Sequence, residues 1–242
     1  MALVEMTEHQ KPILRDNFGT RWLSREFDTE CGVNAQAVGD WIVQSANGVA
    51  YSTHTLIGPL PKLPGVEVIP VLLLRDPAER IASAYRFERG QDAQTQGAIL
   101  AKQHGFPGYV HARLSLPGDR QCRNFQTERL AAMAPDVPGS ELDRACAALR
   151  ALMQAGVLGL VSDFAGAMAR LQDVARRYHP AFTWQPVKAN ASGKAAGQSM
   201  SPDMRQVLLE TNKDDLELLR RTRELLRHAP TGRPALHPAG ML

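Results

Sequence analysis

Apolar side chains come in two patterns along this chain: short unbroken runs, and positions spaced three and four apart. The densest run is Val66 to Leu74, VEVIPVLLL, too short to span a membrane and punctuated at Pro70. Rich in Val, Ile and Leu, it predicts a strand buried on both faces, as in the middle of a parallel sheet. The strand stops at Arg75 and a helix starts at once. Asp76 suits the N-cap, and Pro77 suits the first helical position, where no amide hydrogen is needed. Glu79, three residues after Asp76, completes a capping box. Ile81, Ala82 and Tyr85 give this helix an apolar side and leave Arg75, Arg80 and Ser83 near its start, beside amides with no intrahelical partner. An arginine and a hydroxyl at such a corner can hold an anion. The plain structural alternative is an arginine paired to Asp or Glu.

The same two periods divide the rest of the chain. Residues 1–12 carry neither and read as an irregular tail. Ile13 to Phe27 places Leu14, Phe18 and Trp22 on one helical side and is broken by Gly19, predicting a short helix, a turn and a further piece. Val33 to Ser45 is an amphipathic helix with Val33, Ala37, Trp41 and Ile42 near the expected spacing. Asn47-Gly48 signals a turn, and Val49 to Thr55 is a short strand holding His54 near its end. After Arg89 the pattern predicts helices over Gln91 to His104, Phe106 to Leu114 and Arg120 to Met133. The last of these carries Arg123, Asn124, Gln126, Thr127 and Arg129 on a polar face, which is the usual solvated side of a helix.

Ser140 to Ala155 is a strong amphipathic helix (Leu142, Cys146, Leu149, Leu152, Met153), ended by Gly156. Val157 to Val161 is a short buried strand, and Ser162 caps a helix to about Tyr178. Residues 180–200 form a polar loop with Lys188, Asn190, Ser192 and Lys194. Ser201-Pro202 opens a helix and Asn212 caps another. Asp214 to His228 closes the domain, with acid at its start and base at its end to suit the helix dipole. Residues 13–228 therefore read as one α/β domain, with irregular tails at 1–12 and 229–242.

Composition narrows the class without naming it. Hydrophobic residues at 44% and charged residues at 22% are ordinary for a soluble protein. A net charge of +3 suits an anionic ligand, but no Lys/Arg run resembles a nucleic-acid stripe. Three cysteines, Cys31, Cys122 and Cys146, with no CxxC spacing, fit thiols in a reducing compartment better than a disulfide frame or a zinc site. With no apolar leader and no segment approaching 18 apolar residues, a cytoplasmic protein is expected.

Arg75-Asp76-Pro77, Arg80, Ser83 and Tyr85 resemble the RDPxxRxxSxY element of sulfotransferases that use 3′-phosphoadenosine-5′-phosphosulfate (PAPS), above all the carbohydrate type exemplified by heparan sulfate 2-O-sulfotransferase and its bacterial relatives. The resemblance implies a three-layer P-loop-type sulfotransferase fold with a mostly parallel sheet and a helical C-terminal half. It further implies that Arg75 and Ser83 bind the nucleotide 3′-phosphate. Tyr51-Ser52-Thr53-His54 is similar to the segment that supplies the family's catalytic base, which implies that His54 takes the proton of an acceptor hydroxyl; imidazole titrates in the right range for that. For a lone His, a capping role at a strand end is the competing reading. Asn124 to Leu130 resembles the N-x-Q-T-x-x-L segment lining the family's cleft, which makes Arg123, Asn124 and Gln126 site candidates. Gly159 to Phe164 is similar to the family's strand before the next helix. By the same resemblance Lys188 and Lys194 belong to a basic loop that closes over nucleotide; a solvated linker is the alternative.

The implied reaction is sulfuryl transfer from PAPS to a hydroxyl, with a carbohydrate as the expected acceptor and no metal, since no His/Cys/Asp cluster has ligand spacing. One part of the family's pattern is missing. The loop of the type K-T/N-x-G-T/S-T/S, whose amides and Lys hold the 5′-phosphosulfate, has no good match; Gly19-Thr20 would put Asp16 where the Lys belongs. The first expectation is that this loop and its strand lie before Met1. The alternatives are a homologue that keeps only the nucleotide pocket or the scaffold, and residues 1–15 supplying a substitute. A nucleotide kinase is disfavoured because no GxxxxGK[ST] segment occurs.

Overall fold

The computed structural model describes residues 1–5, 11–27, 32–45, 47–185 and 200–228. Five strands form one sheet: β1 (Ala2–Glu5), β2 (Trp22–Ser24), β3 (Ala50–Ser52), β4 (Val68–Leu74) and β5 (Val157–Leu160). Their order is β2-β3-β1-β4-β5, and every neighbouring pair is parallel, so the chain is α/β. The chain divides into two compact units. The first comprises Met1–Leu74, Arg129–Pro186 and Arg221–Leu242; the second comprises Arg75–Glu128 and Val187–Arg220.

The first unit holds the whole sheet. Its central strand is β1, paired to β3 on one side and to β4 on the other. Ala2–Glu5 are thus not an irregular tail but a strand of the sheet. Three consecutive apolar residues, Ala2, Leu3 and Val4, are too few to show a period, yet all three are buried. Leu3 joins one core cluster with Ala50, Ile69, Val71 and Leu73, while Ala2 and Val4 join another with Tyr51. That alternation is the two-residue period of a strand covered on both faces.

Helix α1 (Lys11–Phe18) sets Ile13, Leu14 and Phe18 into the first cluster, with Met168, Leu171 and Ala175 of α8 (Phe164–Ala175). Helix α2 (Ala35–Gln44) covers the other face through Val38, Trp41 and Ile42. The face is turned from the predicted one: Val33 and Ala37 are exposed, and Val38 is buried in their place. Strand β4 is buried from Ile69 to Leu74, as its composition predicts. Pro70 is tolerated because β5 pairs only from Val71 onward, so the amide-less residue lies in the half of β4 with one neighbour. Helix α7 (Glu141–Ala155) opens with a capping box between Ser140 and Asp143. Asp163, not Ser162, caps α8, after a 3-10 turn at Val161–Asp163.

The second unit is helical: α3 (Pro77–Gly90), α4 (Gln96–Gln103), α5 (Phe106–Ser115), most of α6 (Phe125–Ala131), α9 (Pro202–Thr211) and the start of α10 (Lys213–His228). Ile81, Tyr85, Phe106, Tyr109, Val110 and Leu208 share its core. One side of that core is ionic. Glu88 accepts from Tyr109 Oη at 2.7 Å and from Arg113 Nη2 at 2.6 Å, and Arg113 Nη1 reaches Asp119 Oδ2 at 2.6 Å. Burial alone would lower the Arg113 pKa, but its bonds to Asp119 and Glu88 outweigh that and raise it. Burial pushes the nearby Cys122 thiol up to about 12, leaving it an inert apolar group at neutral pH.

Candidate functional site

At the corner where β4 gives way to α3, the N-cap forms as the sequence predicts: Asp76 Oδ1 accepts from the amides of Ala78 and Glu79 at 3.0 and 3.1 Å. Glu79 is used differently from a capping box. Its Oε2 lies 3.3 Å from Arg75 Nε, so the acid of the first turn meets the arginine that precedes it. Arg75 is held by its backbone as well, since its N–H donates to Gln126 Oε1 at 2.9 Å and its carbonyl accepts from Gln126 Nε2 at 2.8 Å. One side-chain amide thereby clips the corner as a second strand would. Ser83 is half-buried. It stands one turn beyond Glu79, on the same stripe of α3.

Arg80 leaves this corner. Its guanidinium stacks on Phe125, 4.3 Å from the ring centroid, and its Nη atoms donate to the Gln121 side chain and carbonyl. Its Nε is buried with no hydrogen-bond partner among the described residues. Desolvation lowers its pKa, while the Asp215 charge works the other way. Arg80 is thereby held against Phe125 and Gln121 within the helical unit.

The polar residues at 123–127 are also committed to backbone. The helix predicted from Arg120 starts only at Phe125, because Asn124 takes a positive φ of 44°. Asn124 Oδ1 accepts from the amides of Asp214 and Asp215 at the start of α10. In return Asp215, fully buried, accepts from the amides of Gln126 and Thr127 at the start of α6 and from the Thr127 hydroxyl at 2.7 Å. Two helix starts thus cap each other. Arg123 is exposed and donates to the Leu114 carbonyl. Of the predicted cleft residues, only Gln126 reaches the corner, and it does so as a clamp on Arg75. Lys188 and Lys194 lie outside the described residues. A cavity of about 310 Å³ opens on the neighbouring stripe of α3, lined by Ala78, Ala82, Met200 and Leu208.

In the first unit, chemistry gathers at the carboxyl ends of the strands. An open parallel sheet binds ligands outside the carboxyl ends of adjacent strands whose onward connections run in opposite directions. Those strands are β1 and β4: from β1 the chain goes to β2 and β3, and from β4 it goes to β5. His54 lies just past the carboxyl end of β3, exposed, with Nδ1 3.1 Å from Glu26 Oε1. Lys11, the first residue of α1, places Nζ 3.9 Å from the same oxygen. The sequence pattern flags His54 but neither partner. Glu26 sits in a polar stretch without a period, and Lys11 is recognisable only once a strand is known to precede it.

Among the described residues no helix is long and apolar enough to cross a membrane, and no group of three or more His, Cys, Asp or Glu is placed to hold a metal ion.

No model of a known protein family and no solved structure matches the chain. It is 31% identical over 223 residues to an uncharacterized protein of Archaeoglobus fulgidus, covering 85% of this chain and 87% of that protein. At that identity and coverage, the chain belongs to the same family as the archaeal protein.

Proposed function

We propose that the chain is a PAPS-dependent sulfotransferase of the P-loop-type fold, transferring a sulfuryl group to a hydroxyl of a carbohydrate in the cytoplasm. The observation that carries the reading is the corner itself. A strand buried on both faces ends at Leu74, and Arg75-Asp76-Pro77 opens a capped helix that carries Ser83 two turns in. Arg75 Nε–H and the Ser83 hydroxyl are the donors this reading offers to a phosphate. Both side chains fit the nucleotide 3′-phosphate chemically, and the ligand needs only to displace Glu79 from Arg75; at 65% exposure Glu79 can swing into solvent.

His54 acts on the acceptor. Its imidazole takes the hydroxyl proton as the oxygen attacks sulfur, the bond from sulfur to the phosphate oxygen breaks, and adenosine 3′,5′-bisphosphate leaves with that electron pair. The test is sulfate transfer from labelled PAPS to a panel of polysaccharides. The wild type is expected to label one class, and His54→Ala is expected to lose at least a hundredfold in kcat. Retention of full turnover by His54→Ala removes His54 from the mechanism.

A second reading is favoured by the Arg75–Glu79 pair: a homologue that binds nucleotide or keeps only the scaffold, with its anion site neutralised by its own acid. The discriminating variant is Glu79→Gln. On the enzymatic reading it tightens nucleotide binding and leaves turnover in place; on the second reading neither protein transfers sulfate, whether or not Glu79→Gln gains nucleotide binding.

A further inference from the structure

We infer that Glu26 is the positioning residue of His54: it accepts a hydrogen bond from Nδ1–H, fixes the neutral imidazole in that tautomer, and leaves Nε2 as the proton acceptor. The use of this base in sulfuryl transfer rests on the function proposed above; the pairing itself does not.

Strand register brings the two side chains together. β2 and β3 run parallel with Trp22 opposite Ala50, Leu23 opposite Tyr51 and Ser24 opposite Ser52. Continued two residues past the ends of both strands, the same offset brings Glu26 opposite His54. The backbone keeps that offset beyond the strands. Arg25 N–H donates to the Ser52 carbonyl at 3.1 Å, and Phe27 N–H donates to Thr55 Oγ1 at 2.7 Å. Thr55 Oγ1 is in turn 3.3 Å from Oγ1 of the fully buried Thr53. Glu26 and His54 are therefore each flanked by anchored residues. Their meeting at 3.1 Å follows from the sheet rather than from two long side chains finding each other in solvent.

Chemistry then sets the proton. An ionised carboxylate can only accept, so Nδ1 must carry hydrogen and Nε2 is left with its lone pair. This reverses the preference of a free histidine side chain, whose neutral form carries its proton mainly on Nε2. Lys11, at the start of α1, places Nζ 3.9 Å from the same Glu26 oxygen and helps hold the carboxylate in place. With the His54 and Glu26 side chains 36% and 43% exposed, the pair adds little to stability. Its consequence is orientation.

The test is long-range proton–nitrogen NMR on the uniformly labelled full chain without nucleotide or acceptor, with His54 assigned by comparison with His54→Gln. The expected result is a neutral His54 protonated at Nδ1. In Glu26→Ala the neutral imidazole should revert to the Nε2-protonated tautomer, with Glu26→Asp retaining part of the Nδ1–H population. A neutral His54 protonated at Nε2 in the wild type, or a tautomer unchanged in Glu26→Ala, overturns the inference. Because no reaction is involved, an Nδ1–H tautomer in a chain that transfers no sulfate would leave Glu26–His54 standing and count against the sulfotransferase reading alone.

Discussion

Asp215 shows how much of the helical unit depends on a single side chain. Fully buried, it receives the Thr127 hydroxyl and the first amides of α6, and its charge offsets the desolvation of Arg80. Removing it leaves those donors unpaired and takes away a counter-charge. Asp215→Ala should therefore destabilise by about 3–5 kcal/mol, read from denaturant unfolding. A loss under about 1 kcal/mol would mean that water replaces the carboxylate and that the reciprocal capping is incidental. The resemblance of Asn124 to Leu130 to the N-x-Q-T-x-x-L segment made Asn124 and Gln126 cleft candidates. It could not anticipate that Asp214, Asp215 and the Arg75 backbone, distant in sequence, use up their hydrogen-bonding capacity.

At the scale of elements, β4 and α3 were legible because their signals are local: a dense aliphatic run, then an N-cap and a proline in adjacent positions. Strand β1 was not, since Ala2–Glu5 is shorter than any periodic pattern and its burial comes from neighbours remote in the chain. The start of α6 was misjudged for a related reason: a positive φ at Asn124 is paid for by contacts with α10. Strand β5 was legible, and its glycine has a packing reason. A Cβ built at Gly159 falls 2.5 Å from Ala167 Cβ, so β5 lies against α8 with no room for a methyl group. Gly159→Ala should cost about 1–3 kcal/mol, and Gly159→Ala with Ala167→Gly should recover part of that in a thermal melt. Equal melting temperatures for the wild type and Gly159→Ala would show that the layers have slack there.

For the whole molecule, the α/β class and the parallel sheet follow from the alternation of apolar runs and amphipathic segments, and the strand order follows from long-range pairing that no local signal carries. The strand order has a functional consequence. It puts the reversal of chain direction between β1 and β4, so the carboxyl ends of those strands are where a ligand is expected, and Lys11, Glu26 and His54 cluster at that end of the sheet. The central proposal is that this chain binds a nucleotide bearing a 3′-phosphate. The most direct measurement is calorimetric titration of the folded chain with adenosine 3′,5′-bisphosphate, alongside Arg75→Ala and adenosine 5′-monophosphate. The account predicts micromolar binding by the wild type, at least tenfold weaker binding by Arg75→Ala, and a similar loss for the ligand lacking the 3′-phosphate. Folded wild-type protein that binds neither nucleotide, or binds both equally with and without Arg75, would contradict it.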